Sequence, residues 1–224
     1  MDLLEDLEKS PTSFIKDDII IRSETALDRL YVLTKGWVIA EKMSHADSRP
    51  IVHVFLPGDI IGFSELPFQK TSYQARSRTS GIMCPFPSSR LSRLFVESPR
   101  LARLIFAAVT IERAEQEDRA SQFCRNNAAA KLALFVLQTL DRLKLLNSNL
   151  RDQFQCPLTQ QEIGDLVGLS SVHVSRTFSQ MEANGLIQRH KSFLKVKDYD
   201  SLAEMSDYRN RYGSLNLDWV PAHP

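Results

Sequence analysis

The 224-residue chain contains 28 lysines and arginines against 27 aspartates and glutamates, so its net charge is +1 at neutral pH. This balance gives no bulk attraction to nucleic acid, and any binding to a polyanion must come from a local basic face. The acidic start, MDLLEDLEKS, does not resemble a secretory signal, and no stretch reaches the roughly 20 apolar residues of a membrane span. We therefore expect a soluble, cytoplasmic protein with no membrane partner.

The first part of the chain, from Ile19 to about Phe86, shows short runs of alternating apolar and β-branched residues. The segments LDRLYVLTKGWVIAEKM and IVHVFLPGDIIGF are separated by the polar turn cluster HADSRP at 45–50. Several short strands at this spacing predict an antiparallel sandwich or barrel. We assign this domain to residues 1–98.

The period changes at Pro99, which suits the first turn of a helix, and no glycine or proline interrupts the pattern up to about Arg125. We predict a long helix over 99–126. Heptad spacing places four apolar residues on one seam, which predicts packing against the helix of a second chain: Leu101, Leu104, Ala108 and Ile111. The seam becomes polar beyond Glu112, and packing of the helix on its own sheet remains the alternative.

The rest of the chain predicts a helical domain over 127–205, followed by a C-terminal tail over 206–224 that is too irregular to assign. Asn127 suits the N-cap of an apolar helix over 128–146. We expect NSNLRDQFQ, at 147–155, to be a polar loop.

Two short helices are predicted after this loop. Thr159 and Glu162 have the spacing of a capping box, and Gly168 suits the position where the first helix ends. Ser170 and Ser171 cap the second helix, which ends at Asn184-Gly185. Two helices joined by a short turn that contains glycine form a helix-turn-helix.

One face of the second helix carries short polar side chains around a single arginine: Ser171, Val172, Ser175 and Arg176, with Ser179 further along. Small side chains let a helix enter the major groove of DNA, and arginine can pair bidentately with guanine. An ordinary solvated face is the alternative, although such faces usually contain more lysine and glutamate.

A strand-like hairpin follows, LIQRHKSFLKVKD, and it predicts a wing. Five basic residues suit contacts with phosphates, which position a protein on DNA without reading its sequence: Arg189, His190, Lys191, Lys195 and Lys197.

Over nearly its whole length the chain resembles the CRP/FNR family of bacterial regulators. The stretches LYVLTKGWV, FLPGDIIGF and LTQQEIGDLVGLSSVHVSRTF carry the match. The resemblance implies an α+β fold: an N-terminal antiparallel β-roll of the cyclic-nucleotide-binding type, a long dimerisation helix and a C-terminal winged helix-turn-helix. It implies a homodimer on near-palindromic double-stranded DNA, with RNA polymerase as a further partner.

The resemblance also assigns roles to individual residues. The base edges would be faced by Ser170, Ser171, Val172, Ser175 and Arg176. Phosphates would lie near Thr159, Gln161, His190 and Lys191. Many relatives have glutamate where this chain has Val172, so we expect a different preferred half-site.

The effector site of the family does not carry over. Relatives that bind cyclic AMP have Gly-Glu followed about ten residues later by Arg-Ser, whereas here Phe63 follows Gly62 and the later segment reads Lys-Thr-Ser at 70–72. Lys70 or Arg76 could offer charge, but neither lies on the motif. The Thr-Ser pair that contacts adenine is also missing, with Gln116 and Glu117 near that place. We expect an effector other than cyclic AMP, or none.

The segment IIGFSELPFQKTSYQA resembles the FNR and FixK branches, but the cysteine cluster that holds the iron–sulfur centre of FNR is not present in this sequence. The cysteines, at 84, 124 and 156, are widely spaced and odd in number, which favours ordinary thiols over a disulfide framework or a metal site. The sequence shows no cofactor.

The main alternative is a β-roll sensor whose DNA binding depends on a small molecule or haem, although neither His45 nor His53 is marked as an axial ligand. A metal enzyme on a cupin-like barrel would need a His-x-His motif with a third histidine, and the β region has only those two histidines, eight residues apart. A cyclic-nucleotide-gated regulatory subunit without DNA binding disagrees with the helix-turn-helix. We expect no enzymatic activity.

Overall fold

The computed structural model describes residues 11–43, 49–123, 127–216 and 218. These residues form two compact units, and the boundary between them falls inside one long helix, at residues 112 and 113.

The described residues of the first unit form eight strands in two four-stranded antiparallel sheets. In the first sheet the spatial order is β1 (Thr12–Phe14), β8 (Gly81–Pro87), β3 (Arg29–Lys35) and β6 (Ile60–Ile61). In the second it is β2 (Ile19–Ile21), β7 (Gln74–Ser77), β4 (Val38–Glu41) and β5 (Ile51–Phe55). The inner residues of both sheets form one apolar core that includes Leu33, Val38, Ile61 and Ala75, all fully buried.

A short helix, α1 (Leu91–Glu97), precedes the long helix α2 (Pro99–Phe123). The sequence pattern predicted only the second of these. The start of α2 packs on the first unit, because Leu101 and Ala102 belong to a core cluster with Leu30, Phe86 and Leu94. Short 3-10 helices lie at Phe63–Glu65 and Ser88–Arg90.

The second unit contains α3 (Ala128–Leu146), α4 (Gln160–Val167), α5 (Ser171–Ala183) and α6 (Tyr199–Ser206), and a 3-10 helix at Tyr212–Ser214. The predicted N-cap of α3 is confirmed, since the Asn127 side chain accepts hydrogen bonds from the N–H groups of Ala129 and Ala130. Eleven of its residues are buried, as its apolar content predicted.

The prediction of a loop over 147–155 is wrong at its end, where Gln153–Gln155 forms strand β9. This strand joins β10 (Ile187–His190) and β11 (Phe193–Val196) in a sheet of order β10-β11-β9, so the hairpin is part of a three-stranded sheet. Phe154 is 2% exposed and lies opposite Leu194. One apolar residue between two glutamines is too short a pattern to indicate a strand, and pairing with β11 creates it.

Candidate nucleic-acid interface

The first helix of the predicted motif begins with a complete capping box. Thr159 Oγ1 accepts a hydrogen bond from the Glu162 N–H at 3.2 Å, and the Glu162 carboxylate accepts one from the Thr159 N–H at 2.7 Å. These bonds satisfy donors that a helix N-terminus otherwise leaves free, and they confirm the prediction from the Thr-x-x-Glu spacing.

The turn between α4 and α5 depends on two glycines. Gly168 has a φ of +68°, as predicted for the end of the first helix. A Cβ on Gly164 would lie 2.4 Å from the carbonyl oxygen of Leu169, so only glycine fits the close approach of the turn. Ser170 then begins the second helix by accepting the His173 N–H at 3.3 Å. The sequence thus folds locally into a helix-turn-helix.

The buried side of α5 consists of Val174, Phe178 and Met181, which are at most 2% exposed. The opposite side is open to solvent and carries one arginine and one histidine among smaller side chains: Val172, His173, Arg176, Ser179 and Gln180. Val172 is 64% exposed. This exposed side can therefore enter a groove of DNA while the buried side of α5 stays packed in the core.

The five residues predicted to face bases lie together at the start of α5. Val172 and Arg176 are exposed, one helical turn apart, while Ser171 and Ser175 are half-buried beside them. Ser170 is exposed, but its hydroxyl is engaged in the N-cap and lies 3.1 Å from His173 Nδ1. His173 and Gln180 also lie on this side, although neither was predicted to contact DNA. The helical period of α5 could have placed both on this side.

The four residues predicted to lie near phosphates are all exposed. Thr159 and Gln161 belong to the start of α4, where the Gln161 amide donates to Asp165 Oδ1 at 3.0 Å. His190 and Lys191 lie at the tip of the β10–β11 hairpin, where Lys191 adopts a left-handed backbone with φ +54°.

Two of the five basic residues of the wing, Arg189 and Lys195, form ion pairs with acidic residues of the protein itself. This finding alters the prediction that all five contact phosphates. Arg189 donates to Glu182 through its backbone N–H at 2.7 Å and its guanidinium at 2.6 and 2.9 Å, and it lies over the Phe178 ring. Lys195 forms an ion pair with Asp152 at 3.3 Å. Sequence reasoning missed these contacts because Glu182 and Asp152 lie on other elements than the hairpin, and only folding brings them to the cations.

The pair of Glu182 and Arg189 joins α5 to the wing. Partial burial would raise the pKa of Glu182, but hydrogen bonds from Arg189 and its charge hold that pKa below the usual range. The carboxylate therefore stays ionised at neutral pH. Two guanidinium nitrogens donate to Glu182 Oε2 and the Arg189 backbone N–H donates to Oε1, so three charge-assisted bonds orient the hairpin beside α5.

Arg76, one of the two cations considered for an effector phosphate, is engaged within the first unit. Arg76 Nε lies 3.1 Å from the buried Glu41 carboxylate, which also pairs with Arg78 at 3.4 Å. The backbone N–H and hydroxyl of Ser72 both donate to Glu65. Arg76 and Ser72 are thus engaged with the protein's own carboxylates, whereas Lys70 is exposed.

The structure also bears on the histidines named as haem candidates. His53 is 7% exposed, packs edge-on against Phe55, and places Nε2 3.2 Å from a Glu112 carboxylate oxygen. His45 lies outside the described residues. Within the described part of the chain, no group of three or more histidines, cysteines or acidic residues could hold a metal ion, and no helix has the length and apolarity of a membrane span.

The two units thus define a protein with a β-roll domain and a winged helix-turn-helix reader. Residues 11–98 match the family model described as cyclic nucleotide-binding domain, and residues 130–205 match the model described as Crp-like helix-turn-helix domain. The chain belongs to the CRP/FNR family of DNA-binding transcription regulators. It is a regulator and not an enzyme, and the predicted fold class is confirmed.

Relatives that match the chain include proteins of the FNR type, and a solved FixK structure shares its fold. It is 22% identical over 206 residues to the transcriptional activator protein FnrA of Stutzerimonas stutzeri, covering 92% of this chain and 84% of that one. It is 23% identical to the transcriptional activator protein Anr of Pseudomonas protegens, covering 88% and 81%. The solved structure of FixK2 from Bradyrhizobium japonicum shares the fold with a TM-score of 0.76 at 22% identity, covering 89% and 98%.

Proposed function

We propose that this protein is a cytoplasmic, homodimeric regulator that binds a near-palindromic DNA site through α5 and recruits or blocks RNA polymerase there. The exposed side of α5 carries the proposal. It presents Arg176 in the first turns of a helix that a capped glycine turn holds in place, with short side chains on either side. This arrangement suits the major groove.

Within this proposal, Arg176 and Val172 contact base edges, and Ser170, Ser171 and Ser175 line the same surface. The start of α4 and the hairpin tip contact phosphates on either side through Thr159, Gln161, His190 and Lys191. Arg189 has a different role, because its guanidinium is bound to Glu182 and positions the hairpin.

We propose that dimerisation uses α2 but that its apolar centre differs from the seam that the heptad pattern suggested. Leu101 is 6% exposed inside the first unit and has almost no surface left to bury against a partner. Leu104 is 36% exposed, while Ala108 and Ile111 are half-buried. Phe106 is 62% exposed, and heptad spacing from it leads to Val109 and Arg113. A phenylalanine this exposed on a long helix favours a partner chain.

We propose no role for cyclic AMP, because Arg76 and Ser72 of the first unit are engaged with Glu41 and Glu65. A small-molecule or haem effector is the second candidate for control of DNA binding. The match of residues 11–98 to the cyclic nucleotide-binding domain model favours it, since that domain class binds a ligand.

The function is tested by selecting bound fragments from a genomic DNA pool with the purified protein. We expect enrichment of one near-palindromic motif, and Arg176→Ala should reduce the enrichment and flatten the motif at one base position per half-site while the protein stays folded. The matched control is Arg151→Ala, which removes an exposed arginine from the same unit outside the recognition helix. No enrichment by the folded wild type, or equal enrichment by Arg176→Ala, would contradict the proposal.

A further inference from the structure

Glu65 is a buried acidic residue of the first unit, 4% exposed, at the end of the 3-10 helix Phe63–Glu65. Its Oε2 accepts a hydrogen bond from the backbone N–H of Ser72. Its Oε1 accepts bonds from the hydroxyls of Ser72, at 3.3 Å, and Ser64, at 3.4 Å. Three donors from two segments thus converge on one carboxylate.

All three donors are uncharged, and no lysine, arginine or histidine of the described residues forms an ion pair with Glu65. A buried carboxylate is costly unless its oxygens are hydrogen-bonded. Backbone and hydroxyl donors that point at a single site are the arrangement by which proteins hold small oxyanions. The Ser64 and Ser72 donors therefore form an oxyanion cradle, and Glu65 fills it.

The cradle is held in place without help from Glu65. Thr71 precedes Ser72 and is 1% exposed. Its hydroxyl, N–H and carbonyl all form hydrogen bonds with the segment at 22–25. Its hydroxyl donates to the Arg22 carbonyl at 2.6 Å, its N–H donates to the Thr25 carbonyl at 2.9 Å, and its carbonyl accepts the Glu24 N–H at 2.9 Å. The direction of the Ser72 N–H is thus fixed by contacts that exclude Glu65.

We propose that Glu65 is a built-in anionic ligand that holds the segment at 62–72 as a diffusible anion would, so that this regulator needs no anionic effector. The proposal deepens the proposed function and rests on it for its effect on DNA binding. It also assigns a ligand class to the emptied cradle, namely small carboxylates and other oxyanions, because the same three donors would meet them.

The first test removes the carboxylate and supplies one from solution. Glu65→Ala should lower the unfolding midpoint of the first unit by about 5 °C, because the Ser72 N–H loses its partner. Sodium acetate or formate should restore much of this loss relative to sodium chloride at the same ionic strength. If the variant folds poorly, its refolding yield in acetate and in chloride provides the same comparison.

Two further variants serve as controls. Glu65→Gln keeps an acceptor oxygen in the cradle, so it should be less destabilised and should not respond to acetate. Glu97→Ala removes an exposed glutamate that pairs with Arg93 on α1, and it should behave like the wild type. The proposal is overturned if acetate stabilises Glu65→Ala no more than these controls.

The second test measures DNA affinity on the selected motif. The ratio of Glu65→Ala affinity to wild-type affinity should rise roughly tenfold when acetate replaces chloride, which corresponds to a modest coupling between sites. An unchanged ratio would overturn the link to DNA binding. If the wild type selects no DNA motif, the proposed function fails, whereas the acetate effect on unfolding still decides the role of Glu65 by itself.

Discussion

Arg176 and Lys191 both carry an exposed positive charge in the second unit, but they lie on different elements, α5 and the tip of the wing. Arg176→Ala should cost roughly 1–3 kcal/mol on the best site and flatten the preference at one base position per half-site. Lys191→Ala should weaken binding to all sequences alike and lower the salt slope by about 1 per half-site.

These two effects are separated by titrating both variants against matched and mismatched duplexes at several salt concentrations. If Arg176→Ala weakens every duplex equally while Lys191→Ala relaxes base preference, the proposed orientation on DNA is wrong.

Cys156 is a half-buried thiol that burial makes hard to ionise. Desolvation, and to a smaller extent the Glu162 charge, raise the pKa of the thiol to about 11. Because the thiolate is the reactive form, alkylation of Cys156 in the folded protein should be slow at pH 8 and should accelerate up to about pH 11. Peptide mass mapping of the labelled protein gives the rate, with urea-unfolded protein as the reference. Equal rates in the two states would contradict the assigned environment.

At the scale of elements, tyrosines bind α6 and the segment after it to α2 and α3, although the sequence of that segment looked irregular. The Tyr212 hydroxyl donates to the buried Glu115 carboxylate of α2, which also pairs with Arg142 at 3.0 Å. The buried Asp141 carboxylate of α3 accepts the hydroxyls of Tyr199 at 2.6 Å and Tyr208 at 3.0 Å. The segment thus joins α2, α3 and α6 within this unit.

Tyr212→Phe should therefore destabilise the second unit by about 1.5–3 kcal/mol, since it removes a hydrogen bond to a charged group. Denaturant unfolding followed for this unit measures the loss. Tyr31→Phe is the matched control, because the Tyr31 hydroxyl makes no hydrogen bond with a described residue. An equal effect of the two substitutions would show that the contact with Glu115 contributes nothing.

The same tyrosines predict a pH dependence. Burial first, and the neighbouring carboxylates second, raise the pKa of Tyr199, Tyr208 and Tyr212 above the ordinary value of 10. A raised pKa in the folded state means that the stabilisation is complete below pH 10 and is lost as the pH rises further. Unfolding of the second unit should become easier above about pH 10, and Tyr212→Phe should reduce that slope. A slope that Tyr212→Phe leaves unchanged would contradict the assignment.

The exposed side of α2 gives a prediction about assembly. Phe106→Glu should convert a dimer in solution to a monomer and weaken DNA binding, because a charge would replace the apolar centre of the interface. Val96→Glu is the matched control, since Val96 is 81% exposed on α1 and outside the proposed interface. The molar mass from light scattering measures the result. If Phe106→Glu stays dimeric while the Leu104→Glu and Ile111→Glu double variant dissociates, the heptad seam is the correct one.

For the whole molecule, we expect no heat of binding with micromolar cyclic AMP and no change of operator affinity in its presence. A cyclic phosphate needs a cation and donors at close range, whereas here Arg76 pairs with Glu41 and Ser72 donates to Glu65. Calorimetry and a DNA titration with and without the nucleotide provide the measurement. Micromolar binding that tightens DNA affinity would overturn this view of the first unit.

Much of the helix-turn-helix domain could be predicted from the sequence because its signals are local. The capping box at Thr159, the N-caps at Asn127 and Ser170 and the left-handed Gly168 each depend on contacts within a few residues. The order of a β domain, a long helix and a helix-turn-helix follows from changes in hydrophobic period along the chain, and the family resemblance implied that the β domain is a β-roll. These parts of the fold therefore need no knowledge of distant partners.

The tertiary structure alone decided which charged groups remain available and which apolar side chains are covered. Arg189 and Glu182, Tyr212 and Glu115, and Glu65 and Ser72 meet only after the chain has folded. Leu101 looked like an interface residue by its spacing, yet it lies in the core of its own unit. Spacing determines which face of a helix a residue occupies, but only packing determines what that face contacts.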